Sequence, residues 1–181
     1  MSQMSQVGVI MGSDSDYQVM EEALEVLRQF EVPFEVIISS PQRTLKRTVD
    51  WVKGFEAHGG KLIIAAAGLA AHLPGVVAGA TILPVIGVPM SSGALEGIDA
   101  LYSIVQMPPG IPVATVGIGA ARNAALLAVQ MLTIQDSALS QKVKAYRIQM
   151  LQDIEAKDEA LQKWLSEENL SQNLIGNAAE R

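Results

Sequence analysis

The chain contains no cysteine, which excludes disulfides and thiolate chemistry and is compatible with a reducing compartment. No run approaches the roughly 20 apolar residues that a bilayer-spanning helix needs. Residues 1–6 are polar and lack the basic and apolar regions of a signal peptide, so the cytoplasm is the expected location. Lysine and arginine form no cluster, and a net charge of −6 argues against a nucleic-acid surface. Internal repeats and low-complexity segments are also missing. What remains is 181 residues, 49% hydrophobic and 18% charged, the composition of one soluble domain with a substantial core.

The most informative stretch runs from Val7 to Asp16. Val7-Gly8-Val9-Ile10-Met11 reads as a buried strand, and Gly12-Ser13-Asp14-Ser15-Asp16 breaks it. Tyr17, Met20, Leu24, Leu27 and Phe30 then recur at helical spacing, with Asp16 at the expected N-cap. A strand, a glycine turn and a helix start together present backbone N–H groups at a positive dipole end, which suits phosphate or another anion.

The same alternation repeats. Strands are expected at residues 34–39, 61–67, 84–88 and 113–118. Helices are expected after the 40–44 loop, around 76–80, over 94–105 and from 119 to about 134. Near-continuous apolar strands joined by helices indicate a parallel sheet covered on both faces. Right-handed crossovers favour a doubly wound sheet in the order 2-1-3-4-5, with helix layers on both sides (αβα). Residues 1–135 are therefore assigned to the core domain.

From residue 136 to about 165 the apolar positions Leu139, Val143, Tyr146, Met150, Ile154, Leu161 and Trp164 mark one helix face, interrupted by Lys157. About 30 residues at helical rise span about 45 Å, more than a small domain is wide. A helix overhanging its own domain and a helix packing on a neighbouring subunit both fit, and the second is favoured, with 136–168 as that segment. Residues 169–181 read as a polar tail with frayed ends.

In such a sheet the loops after β-strands share one edge, and ligands bind where the strand order reverses. Gly12–Asp16, Ser40–Thr44 and Ala67–Leu73 should meet there. Arg43 is a bidentate donor for phosphate or carboxylate. Ala67-Gly68 lets a flat ring approach the backbone, and Asp16 can accept from ribose hydroxyls. Each residue has a plainer role too. Asp16 can simply cap its helix, Arg43 can be a solvated charge, and His72 can be a core histidine with both nitrogens satisfied. His58, before two glycines, reads as a surface residue at a helix C-terminus, and the methionines as core filling. A phosphoacceptor receiver is excluded because the third strand ends in alanines and Gly119-Ala120 follows the fifth. No P-loop or G-x-G-x-x-G turn is present, and the site loops lack the aromatics a flavin usually requires.

Three motifs carry a resemblance: Met11-Gly12-Ser13-Asp14-Ser15-Asp16, Ala70-Ala71-His72-Leu73-Pro74-Gly75, and Leu101-Tyr102-Ser103-Ile104-Val105-Gln106-Met107-Pro108. With them the chain resembles the class I PurE family, the N5-carboxyaminoimidazole ribonucleotide mutases of purine biosynthesis, over nearly its whole length to about Tyr146. The resemblance implies a flavodoxin-like domain assembled as an octamer through swapped C-terminal helices. It also implies transfer of a carboxylate from the exocyclic nitrogen of the substrate to ring carbon 4, with neither metal nor organic cofactor. On that basis Gly12, Ser13, Ser15, Asp16, Ser40 and Arg43 would hold the ribose phosphate. Ala67, Gly68 and Leu73 would shape the pocket for ring and carboxylate, with His72 at its border.

The family pattern after the second strand is Ser-Ala-His-Arg-Thr-Pro, its histidine being the proton shuttle. Here Ser40-Pro41-Gln42-Arg43-Thr44-Leu45 puts Gln42 in that place. Leu69 replaces the second glycine of Ala-Gly-Gly-Ala-Ala-His, and the loop after the fifth strand is two residues shorter than the family's. Imidazole titrates near pH 6.5, whereas a carboxamide has no usable pKa. Losing a general base typically costs about 10²–10⁴-fold. The sequence therefore leaves three functions open: a mutase whose proton travels through His72 or the departing carboxylate, a divergent decarboxylase acting on a related small molecule, and a non-catalytic ribonucleotide-binding octamer.

Overall fold

The computed structural model describes residues 4–178, with side chains through Glu168. Five parallel strands form one sheet in the order β2-β1-β3-β4-β5. They are β1 (Val7–Met11), β2 (Phe34–Ile38), β3 (Leu62–Gly68), β4 (Val85–Met90) and β5 (Ala114–Thr115). The connecting helices are α1 (Tyr17–Gln29), α2 (Pro41–Ala57), α3 (Leu73–Ala80), α4 (Ile98–Val105) and α5 (Ala121–Leu132), followed by α6 (Ser137–Ala178). The doubly wound fold and strand order are those read from the sequence.

Strands β1 and β4 are buried throughout and β3 up to its last residue, whereas β2 is a half-exposed edge. That difference explains the pattern of the sequence: central strands covered on both faces have no polar side to show. On one face α1 packs against α5, whose buried residues Ala121, Ala124, Ala125 and Ala128 permit close approach. On the other, α2, α3 and α4 close over a core that includes Ile10, Val52, Phe55, Ile63, Leu73, Val77 and Ile104. Trp51 and Phe55 of α2 stack at 5.5 Å above Gly8, where a Cβ would stand 2.8 Å from the indole. Glycine in β1 thus lets α2 settle onto the sheet.

Four boundaries differ from expectation. Pro41, Gln42 and Arg43 form a helical first turn of α2 instead of open loop; the turn is set off from the rest of the helix by Thr44 at φ −141°, ψ 46°. Helix α4 begins at Ile98, not residue 94, because Glu96 (φ 50°) and Gly97 (φ 93°) are left-handed and no helix passes through them. Strand β5 pairs at Ala114 and Thr115 alone; beyond, the Val116 N–H still reaches Gly87 O, and the chain then turns away at Gly119 (φ 68°). Helix α3 already starts at Leu73, with Pro74 in its first turn.

Contacts divide the chain into two units, 1–139 and 140–181. The second is helical as far as Ala178, so the polar stretch read as a tail is helical over much of its length, and its last three residues lie outside the described residues. Along α6 the side chains of Met150, Ile154, Leu161 and Trp164 are exposed. Among the described residues no helix is long and apolar enough to cross a membrane.

Candidate active site

The register puts the ends of β1, β2 and β3 side by side: Met11 pairs with Ile38 and with Ala66. The segments that follow therefore leave one edge together. After Met11, Gly12 donates its N–H to Ala66 O at 3.1 Å, and Ser13 caps a single 3₁₀ turn, Asp14–Asp16. Ser13 Oγ accepts from the Ser15 N–H at 3.3 Å, while Asp16 Oδ2 accepts from the Ser13 N–H at 3.2 Å. This reciprocal pair is a capping box. Asp16 precedes α1 as expected, yet its carboxylate caps nothing there and turns back onto the glycine turn.

Asp16 is buried, and burial pushes its carboxyl above the usual aspartate range. The Ser13 N–H opposes the rise, the neighbouring Asp14 adds to it, and the Gly12 N–H opposes it again. A carboxylate kept in this condition without a positive partner is poorly stabilised by the protein alone and well placed to accept from ligand hydroxyls.

After β2, three hydroxyls fix the backbone. Ser39 Oγ lies 3.0 Å from Thr44 Oγ1 and 2.9 Å from the fully buried Thr48 Oγ1, while the Ser40 N–H donates to Thr44 Oγ1 at 3.1 Å. The Arg43 guanidinium donates to Gly12 O at 3.3 Å, tying this turn to the first. Between the two lies a cavity of about 300 Å³ lined by Gly12, Ser13, Asp14, Ile38, Ser39, Ser40, Arg43, Thr44 and Arg47. A larger cavity of about 850 Å³, with Lys53, Glu56, Thr81 and Ile111 on its walls, opens before β4 and β5, at the opposite edge of the sheet.

The third segment joins through one side-chain contact. Gln42 accepts from the Ser40 hydroxyl at 3.1 Å through Oε1, and its Nε2 lies 2.7 Å from His72 Nδ1. A Cβ at Gly68 would stand 2.5 Å from Ser92 Oγ, so a side chain there would need that hydroxyl to turn away. Leu69, which follows, is left-handed at φ 54° and more than half exposed.

Of the residues singled out in the sequence, Gly12, Ser13, Ser40 and Arg43 line the small cavity. Ser15 and Asp16 belong to the turn beside it, and Gln42 and His72 form a couple hinged on Ser40. The side chains of Leu73 and Ala67 pack in the core, Leu73 being 1% exposed. Arg47, Thr44 and Ser39 were missed. Arg47 carried no local signal, since the helix is interrupted at Thr44 between it and Arg43 and the two meet at the cavity only in the folded chain. Among the described residues no group of three or more histidine, aspartate or glutamate side chains could hold a metal ion.

The family described as AIR carboxylase matches residues 6–153. This chain belongs to the AIR carboxylase family. Among its relatives, an N5-carboxyaminoimidazole ribonucleotide mutase from Pyrococcus abyssi is 56% identical over 147 residues, covering 81% of this chain and 84% of the relative. One of the same name from Pyrococcus horikoshii is 51% identical over 166 residues, covering 92% and 94%. Among solved structures, Treponema denticola PurE superposes with a TM-score of 0.79 at 33% identity, covering 86% of this chain and 97% of that one. A PurE2 variant from the same organism gives 0.81 at 32%, covering 88% and 99%. In this chain the small cavity and the Gln42–His72 couple sit beyond the carboxyl ends of β1, β2 and β3.

Proposed function

We propose that this chain is an N5-carboxyaminoimidazole ribonucleotide mutase of purine biosynthesis, with its substrate at the β1–α1 and β2–α2 turns. The observation that carries the reading is the cavity between Ser13 and Arg43, which joins two guanidinium groups, hydroxyls and a glycine turn in a space suited to a phosphate. Ser13, Ser15, Ser40 and Arg43 would hold the phosphate and Asp16 the ribose hydroxyls. The backbone at Gly12, Ala67, Gly68 and Leu73 would then flank the ring and the migrating carboxylate.

The chemistry needs no electron carrier. Cleavage of the bond between the exocyclic nitrogen and the carboxyl carbon releases carbon dioxide and leaves the electron pair on nitrogen, which takes a proton. Ring carbon 4 then attacks carbon dioxide, and its hydrogen departs as a proton. One proton moves from carbon to nitrogen and nothing else is consumed. Binding in the cavity positions the ring and confines the carbon dioxide. Exchange of that proton remains, and Gln42 cannot perform it.

That last point favours a second reading: a family member that binds the ribonucleotide without mutase turnover, as a decarboxylase of a related molecule or a non-catalytic binder. A spectroscopic assay of the two carboxyaminoimidazole ribonucleotides, run on the wild type and on Gln42→His, separates them. Turnover by the wild type at ordinary enzyme rates supports the mutase. Turnover only after the substitution supports the second reading.

The chain is also proposed to act in the cytoplasm as a homo-oligomer, an octamer in the family's manner, with the 136–168 segment packing on a neighbouring copy. Supporting this are Ile154, 63% exposed, and Trp164, 56% exposed, on one helix. An apolar row of that length is uncommon on a monomer.

A further inference from the structure

The structure assigns the proton transfer to His72 Nε2, with Gln42 as the positioning residue that governs which nitrogen of the ring carries hydrogen. The inference rests on the mutase reading and goes beyond it by naming the proton carrier of this chain. Residues 42 and 72 come from different loops, yet Gln42 Nε2 and His72 Nδ1 are 2.7 Å apart. Among the described residues Gln42 is the one side chain hydrogen-bonded to that ring, and its other end is held by Ser40, a residue of the small cavity. His72 is exposed, so its ring is accessible to a ligand at this edge of the sheet.

A carboxamide is suited to this post because it can turn over. As placed, Oε1 accepts from the Ser40 hydroxyl and the amide N–H donates to Nδ1, which puts the ring hydrogen on Nε2. Rotated by half a turn, the amide donates to Ser40 Oγ and Oε1 accepts from a protonated Nδ1. Both orientations keep both hydrogen bonds, since a hydroxyl can donate or accept. In the second orientation Nδ1 holds its hydrogen whether the ring is cationic or neutral, and only Nε2 exchanges. The cation gives its Nε2 proton to the exocyclic nitrogen as carbon dioxide leaves. The neutral ring then takes the proton of carbon 4 into the vacated Nε2 lone pair. The ring ends as it began, and the proton count balances. In the family pattern a histidine occupies the place of Gln42; here the amide at that place serves a histidine one loop away.

The test uses the full chain, with turnover and aminoimidazole ribonucleotide affinity measured separately. His72→Asn is expected to lower kcat by about 10²-fold or more, the usual cost of a lost general acid–base. Its ribonucleotide affinity is expected to stay within a few-fold of wild type. Gln42→Glu, which can only accept, is expected to move the alkaline limb of the pH–rate profile upward by about 1 unit, because a carboxylate favours the cationic ring from which the reaction starts. A merely structural Gln42 would leave that limb in place. Wild-type turnover that survives His72→Asn, a Gln42→Glu profile that does not move, or a wild type that binds ribonucleotide yet turns over only after Gln42→His would each overturn the assignment. Failure of the wild type to bind the ribonucleotide at all would instead overturn the mutase reading beneath it.

Discussion

Asp16 shows how a single residue can be set against the stability of its own fold. Its carboxyl titrates higher in the folded than in the unfolded chain, so folding takes up a proton between the two values. Stability from this group is therefore greatest below the ordinary value of 3.8 and falls as pH rises through the window above it. Asp16→Asn still accepts from the Ser13 N–H. It is expected to melt higher than wild type near neutral pH and no higher once pH falls below that window, while binding the ribonucleotide more weakly. Thermal melts across that range, with a titration at neutral pH, check both halves. Leu69 makes a parallel case. A leucine in the left-handed region costs about 1–2 kcal/mol, and this side chain is 55% exposed, so it recovers little by burial. Leu69→Gly should hold or raise stability, whereas the β-branched Leu69→Val should lose about 1 kcal/mol, as read by denaturant midpoints. A strained residue beside a site is the kind of feature that ligand binding, not folding, retains.

At the scale of elements, what could be read in advance depended on what the local sequence controls. Apolar runs buried on both faces gave β1, β3 and β4 at close to their true extents. Alternation of those runs with helical spacing gave the strand order, because handedness leaves few other windings. The ends of α4 and β5 were illegible for a physical reason: Glu96 is an ordinary helix former whose left-handed backbone is imposed by the turn it shares with Gly97. The start of α2 failed differently. Pro41 suits a first helical turn, but the Ser40–Thr44 turn is shaped by hydroxyls of Ser39, Thr44 and Thr48, whose meeting needs the folded backbone. The site was legible as a set of loops; the Gln42–His72 contact and the place of Leu73 in the core were not. Thr48→Val tests the hydroxyl chain. It removes a fully buried partner of Ser39 and is expected to cost about 1 kcal/mol of stability and to weaken ribonucleotide binding by loosening the turn. Chemical denaturation and a ligand titration would report the two losses.

For the molecule as a whole, the long C-terminal helix and the site make separate predictions. Ile154→Glu with Trp164→Glu should dissociate the proposed homo-oligomer to smaller species by light scattering, while the far-ultraviolet signature of the sheet domain persists. The central claim concerns the other end of the chain: the turns after β1 and β2 form a phosphate seat for a ribonucleotide. Calorimetric titration of aminoimidazole ribonucleotide and of its dephosphorylated nucleoside, into the wild type and into Arg43→Met, tests it most directly. The ribonucleotide should bind the wild type at least about tenfold tighter than the nucleoside, as a charge-assisted phosphate contact requires, and Arg43→Met should erase most of that difference. Equal affinity of the two ligands for the wild type, or a preference untouched by Arg43→Met, would contradict the account.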